Sequence, residues 1–81
     1  MRRFYFHLSR NGELLADEEG QELPDASTAR REAEQAAREL LAEAIRDGTD
    51  QVAEAFIIAD EHGRQIDTVP LESLLPKSLR K

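Results

Sequence analysis

The chain has 81 residues, carries 17 acidic against 11 basic side chains for a formal charge of −6, and contains no cysteine. That length bounds it to one domain with a modest core. The missing thiols exclude a disulfide framework, a thiolate nucleophile and a thiolate metal site, and the acidic balance opposes a general grip on nucleic-acid phosphates.

The opening residues, Met-Arg-Arg-Phe-Tyr-Phe-His-Leu, hold two arginines but no long apolar run, so they read as neither a secretory signal nor a membrane span. The expectation is a soluble cytoplasmic protein. From Arg3 to Ser9 the residues alternate, with Phe4, Phe6 and Leu8 on one side and Tyr5, His7 and Ser9 on the other. This is the pattern of a half-buried strand rich in aromatic residues. Asn11-Gly12 is a hairpin turn signal, and residues 13–16 read as the return strand.

Residues 13–25 then hold six acids (Glu13, Asp17, Glu18, Glu19, Glu22 and Asp25) and no base. They form a solvated loop surface or, alternatively, an acidic docking surface for a basic partner.

Residues 25–47 are the only long segment with one clear period. At 100° per residue, Ala26, Ala29, Ala33, Ala36, Ala37, Leu40 and Ala44 share a face, while Arg31, Glu34, Gln35, Arg38, Glu39 and Arg46 lie opposite or on the flanks. The spacing predicts an amphipathic helix with Asp25 as N-cap, Gly48 as its left-handed stop, and i,i+4 pairs Arg30–Glu34 and Glu34–Arg38. Its alanine face suits close packing on a sheet. Leu41 and Ile45 lie beyond that stripe and call for a second cover, either residues 71–75 or another subunit.

After a polar connection at residues 49–51, residues 53–59 are the most apolar short run and read as a central strand. A turn at residues 60–63 leads to a fourth strand over 64–69, ended or edged by Pro70. Residues 71–75 predict one helical turn stopped by Pro76, and residues 77–81 a frayed basic tail beyond a single domain spanning 1–76. The segments starting at Leu14 and Ile57 share the pattern apolar-apolar-Ala-Asp-Glu-x-Gly, which suggests one turn chemistry used on both sides of the helix.

The element order is therefore β-β-α-β-β. It predicts an α+β two-layer sandwich: an antiparallel sheet in the order 2-1-3-4, covered on one face by the single long helix. Phe4, Phe6, Leu8, Phe56, Ile58 and Leu40 are the expected core.

The opening Arg-Phe-Tyr-Phe-His-Leu, the run Asp17-Glu18-Glu19-Gly20-x-Glu22-Leu23-Pro24-Asp25, the helix with Ala29-Arg30-x-Glu32-Ala33, and the later Ala59-Asp60-Glu61-x-Gly63-Arg64 and Thr68-Val69-Pro70 together resemble a family of short bacterial proteins known as a domain of unknown function. The resemblance spans about Arg3 to Leu75. It implies a small soluble bacterial protein and implies no activity, cofactor or catalytic residue. A looser similarity, a strand pair before an alanine-rich helix, is to HicB-type antitoxin domains.

Chemistry-bearing motifs are sparse. The four glycines are isolated, so there is no phosphate cradle, and no serine sits in a nucleophile elbow. Residues 17–20 miss the ligand spacing of a calcium loop. His62 beside Asp60 and Glu61 is a weak metal candidate at most. No enzyme, cofactor or metal is expected.

The reading is a non-enzymatic, self-associating interaction module, a homodimer. It rests on the third strand, whose two faces, Ala55, Ile57, Ala59 and Phe56, Ile58, are both apolar, so that one helix leaves one of them bare. The candidate interaction residues are Tyr5, His7 and Ile57, then Leu41 and Ile45, then the acids Asp17, Glu18, Glu19 and Glu22. The alternative is an antitoxin-like or adaptor regulator that binds a basic protein through residues 13–25. Weak nucleic-acid binding by Arg2, Arg3 and Arg10, gathered near one end of the sheet, ranks below both, and no membrane partner is expected.

Overall fold

The alternation after Met1 becomes the longest strand of the protein, β1 (Arg2–Arg10), in a computed structural model that describes residues 1–49 and 52–79. Asn11 and Gly12, with φ of 53° and 77°, make the left-handed pair of a two-residue hairpin turn. They return the chain as β2 (Glu13–Leu15). A third short strand, β3 (Gln21–Leu23), precedes helix α1 (Ala26–Asp47), which is followed by β4 (Ala55–Ala59) and β5 (Gln65–Pro70). A 3-10 turn, Leu71–Leu74, comes next, and a second covers Lys77–Leu79. The expected connection at residues 50–51 and the end of the basic tail at 80–81 lie outside the described residues.

All pairings are antiparallel. The order is β2-β1-β4-β5, which is the expected 2-1-3-4 arrangement, and β3 pairs with β1 on the same edge as β2. Strand β3 is the addition to the sequence reading. It takes Arg2, Arg3 and Phe4 as partners, while β2 takes Leu8, Ser9 and Arg10. The residues between the two, 16–20, bridge a gap along this edge of β1.

Register fixes the two faces of the sheet. Phe6 opposes Ile58 and Leu8 opposes Phe56, while Phe56 in turn opposes Val69, and this face meets the helix. Tyr5 with Ala59, His7 with Ile57 and Thr68, and Ser9 with Ala55 occupy the other.

The helix forms as its sequence dictates. The Asp25 carboxylate accepts the Thr28 N–H at 2.8 Å at its start. At its end Gly48 N–H reaches Ile45 O and Thr49 N–H reaches Ala44 O, a Schellman closure. Of the two expected ion pairs, Arg30–Glu34 is present at 3.3 Å. Glu34–Arg38 is not among the ion pairs of the described residues. Arg30 instead reaches both oxygens of Asp67 on β5, at 2.8 and 2.9 Å, tying helix to sheet.

Ala29, Ala33 and Ala37 are fully or almost fully buried against the sheet, as expected of a flat alanine face. Phe4, Ile58 and Val69 are completely enclosed with Leu23 and these alanines, and Ala37, Ala53 and Leu71 form a second cluster. Each large side chain so enclosed contributes about 1.5–3 kcal/mol of burial.

Four expected core leaders, Phe6, Leu8, Leu40 and Phe56, are only half-buried and pack against the cluster margins. The reason is geometric. Strands lie about 4.8 Å apart, so a helix about 10 Å wide spans only half of a four-strand sheet. Helix α1 lies toward β4, β5 and the turn Leu71–Leu74, off-centre from β1 and β2.

Candidate interaction surface

The uncovered face of the sheet carries Tyr5, His7 and Ile57. Tyr5 and His7 are two apart on β1, so their side chains project the same way. Their rings lie 12° from parallel with centroids 6.3 Å apart. Ile57 sits across from His7 on β4, with Thr68 beyond it on β5. All four are half-buried, and Ala55 and Ala59 fill the spaces between them. The centre of this face holds no Asp, Glu, Lys or Arg.

Residues 16–20 form its rim. The Asp17 carboxylate does backbone work there. Oδ2 accepts the N–H of Phe6 at 3.1 Å, and Oδ1 accepts those of Glu19 and Gly20 at 3.2 and 3.1 Å. The Asp17 N–H donates to Nδ1 of His7 at 3.0 Å, which makes Nδ1 the acceptor and leaves Nε2 as the ring's other hydrogen-bonding position. Burial pushes the Asp17 carboxyl up, but the N–H groups of Phe6, Gly20 and Glu19, with His7, outweigh it and hold the group below its usual value. Gly20 lies so close to Tyr5 that a Cβ there would stand 2.9 Å from the ring.

Asp60 does related work at the end of β4. Oδ1 accepts from His62 N–H and Arg64 N–H at 2.9 and 3.0 Å, and Oδ2 accepts from Arg64 Nε at 3.2 Å. The Arg64 N–H is the main cause that holds this carboxyl low; the His62 N–H and the Arg64 charge add to it and burial opposes it. Both aspartates of the repeated sequence pattern thus gather N–H groups that follow them. The two segments nonetheless differ in role: the second closes the β4–β5 hairpin, whereas the first fills the gap between β2 and β3. The first hairpin closes at Asn11-Gly12, as its sequence signals, so the shared pattern is one turn chemistry in two different settings.

The other sequence-predicted residues do not join this face. Leu41 is half-buried beside the cluster of Ala37, Ala53 and Leu71, where Leu74 also packs, so the turn Leu71–Leu74 supplies its cover. Ile45 is 70% exposed. Both belong to the helix layer, on the opposite side of the sheet from Tyr5, His7 and Ile57. Glu18, Glu19 and Glu22 are exposed on the rim, with Glu22 3.9 Å from Arg3. Asp17 and Asp25 are committed to backbone N–H groups, which leaves the acidic stretch fewer free charges than its composition suggests.

The three arginines of β1 do not gather. Arg2 lies over the Phe4 ring at 5.1 Å and reaches Glu61 at 3.5 Å, and Arg3 donates to the Glu19 carbonyl at 2.7 Å. Arg10 stands at the far end of the same strand, about 26 Å away at 3.3 Å per residue.

Among the described residues no group of three or more His, Cys, Asp and Glu side chains is placed to hold a metal ion, and His62 is exposed, 3.9 Å from Glu61. The displaced carboxylates, Asp17, Asp25 and Asp60, are explained by hydrogen bonds that shape turns and a helix cap. What the face can do chemically is present a flat apolar surface with a phenol and an imidazole as hydrogen-bonding groups.

Alternation alone puts Tyr5, His7 and Ile57 on one face of the sheet, and the register agrees. It misses Gly20 and Asp60, for which the repeated Asp-Glu-x-Gly pattern is the available signal.

An antiparallel sheet covered on one face by a single long helix defines a small α+β domain of open-faced type. The model of the family described as domain of unknown function DUF6894 matches residues 3–72, and the chain belongs to that family. No curated protein and no solved structure shows significant similarity to it. No helix among the described residues is long and apolar enough to cross a membrane.

Proposed function

We propose that this protein is a non-enzymatic interaction module of the bacterial cytoplasm that self-associates through the open face of its sheet. The observation that carries this reading is Ile57. It lies at the middle of β4, on the face away from the helix, between His7 and Thr68. Apolar area of this kind on a small domain marks an interaction site. A second copy suits it because the centre is uncharged. Two chains of charge −6 can meet there about a two-fold axis without placing acid against acid, each giving the same patch to the other.

Sedimentation over a range of concentrations tests the proposal. A reversible dimer is expected for the native chain, and a monomer for Ile57→Lys, whose side chain lies outside the core. A native chain that stays monomeric at millimolar concentration overturns it.

A second reading, an antitoxin-like or adaptor regulator holding a basic protein through residues 13–25, draws support from the exposure of Glu18 and Glu19 on the rim. Its test is capture of small basic proteins by the native chain and by the double variant Glu18→Lys, Glu19→Lys. Equal capture by both removes it.

A further inference from the structure

The helix layer does not cover the sheet evenly. Helix α1 encloses Phe4 at the start of β1, but from Phe6 and Leu8 across to Leu15 of β2 the same sheet face is covered only in part. The floor of the trough left there is Phe6, Leu8 and Phe56, all half-buried. One wall is Ala36 and Leu40 of α1, and Leu15 of β2, 48% exposed, projects on the same side as Leu8. Two shallow depressions mark the line of this trough. One lies among Phe6, Gln21, Glu32, Ala36 and Phe56, and the other among Leu8, Arg10, Leu40, Glu43 and Asp47.

Acids outnumber bases along it: Glu32, Glu39, Glu43 and Asp47 stand against Arg10 and Arg46. At 100° per residue, Glu32, Glu39 and Glu43 fall on the same flank of α1 as Ala36. Glu32 borders the first depression and Glu43 the second. None of the three is in an ion pair among the described residues. The opposite flank differs: there Arg30 pairs with Glu34 and Asp67, and Leu41 is covered by the turn Leu71–Leu74.

We propose that this trough receives a basic amphipathic helix from another protein, which lies beside α1 and completes a two-helix layer over the sheet. An apolar stripe at i, i+3, i+4 and i+7 fills the floor, as in other helix-in-groove complexes, and lysines or arginines on its flank meet Glu32, Glu39 and Glu43. Helix α1 of a second copy does not fit, since its alanine face is already buried and its free flank repeats the same acids. The trough is on the opposite side of the sheet from Ile57, so the two surfaces are independent.

The test uses a synthetic helical peptide with leucines at that spacing and lysine and arginine flanks, with a glutamate-flanked version as control. The native protein is titrated with each while backbone amide resonances are followed by NMR. The basic peptide is expected to bind with an affinity that falls as salt rises, to shift the amides of Phe6, Leu8, Ala36 and Leu40, and to leave Tyr5 and Ile57 unmoved. Ala36→Arg, which blocks the wall with a good helix former, is expected to weaken binding about tenfold or more. The double variant Glu32→Lys, Glu39→Lys changes only exposed positions and is expected to do the same while admitting the acidic peptide. Absence of binding, equal binding of both peptides, shifts confined to the Tyr5 face, or an affinity unchanged by the double variant overturns the proposal. So does dissociation of a dimer by Ala36→Arg, which would make the occupant a second copy.

Discussion

The N–H of Phe6 donates to Oδ2 of Asp17 at 3.1 Å, in the gap where neither β2 nor β3 pairs with β1. A side chain eleven residues along thus takes the place of a neighbouring strand. Its other oxygen holds the N–H groups of Glu19 and Gly20, so one carboxylate both continues the sheet edge and shapes the loop that borders Tyr5 and His7.

Asp17→Asn removes half of this arrangement. An asparagine keeps one acceptor oxygen, enough for the local turn to Glu19 and Gly20, but its NH₂ group cannot accept from Phe6. The Phe6 N–H is then left unsatisfied in a half-buried position. A loss of about 1–3 kcal/mol is expected, measured by urea unfolding, together with faster hydrogen exchange at Phe6. An unchanged exchange rate at Phe6 would show that the bond is dispensable.

Gly20→Ala attacks the same loop from the backbone. Gly20 has φ of 73°, and a Cβ there would meet the Phe4 carbonyl oxygen at 2.9 Å, the Tyr5 ring at 2.9 Å and Arg3 Cγ at 3.0 Å. Gly12 has the nearly identical φ of 77° but nothing within 4 Å of the same position. Comparing the two substitutions separates conformational strain from collision. Gly12→Ala is expected to cost about 1 kcal/mol, from the left-handed backbone alone, and Gly20→Ala about 1–3 kcal/mol more, from overpacking. Thermal unfolding of both variants reads the difference directly; equal losses would mean that the loop yields freely around Tyr5.

These two residues also show where sequence reading stops. Alternation in Phe4, Phe6 and Leu8, the Asn11-Gly12 turn, the Asp25 and Gly48 caps and the apolar run at Phe56 to Ile58 are local signals, and each was legible. Strand order followed because the two most apolar strands belong in the centre. Strand β3 was not legible: Gln21, Glu22 and Leu23 are too few to show a period, and they pair only because β1 is long enough to leave its first residues free. The carboxylate bond from Asp17 to Phe6 depends on that tertiary arrangement. So does the off-centre seat of the helix, which no feature of its alanine face specifies and which decides that Phe6 and Leu8 are half-covered.

Acid should weaken the fold through three carboxylates. Asp17, Asp25 and Asp60 all have folded values held below the usual carboxylate range, Asp17 and Asp60 for the reasons given above and Asp25 by the Thr28 side chain and N–H. The unfolded chain, with values near 3.9, therefore takes up protons before the folded one does. The stabilisation from these groups is complete above the unfolded value and is lost as pH falls through the lowered folded values. Urea midpoints measured from neutral pH downward are expected to drop steeply below about pH 4. Asp60→Asn should lower the neutral-pH stability and flatten that acid limb. An acid limb unchanged in the variant would remove Asp60 from the account.

Phe4 and Phe6 lie two residues apart on one strand and face the same layer, yet the helix covers them unequally. Phe4 has no exposed surface and packs among Leu23, Ala29, Ala33, Ile58 and Val69, whereas Phe6 is half-buried at the margin of that cluster. Truncation removes the same atoms at both sites, so the difference reports how much cover each ring has. Phe4→Ala is expected to cost about 3–5 kcal/mol, in the range of fully enclosed phenylalanines, which on a domain of this size threatens folding altogether. Phe6→Ala should cost distinctly less, because part of its surface already meets water and the truncated site opens to solvent instead of leaving a sealed cavity. Phe6→Leu, which keeps most of the apolar contact, guards against the case where Phe4→Ala does not fold: it should lie within about 1.5 kcal/mol of the native chain. Equal losses at Phe4 and Phe6 would mean that Phe6 is as enclosed as Phe4 and that no trough lies beside α1.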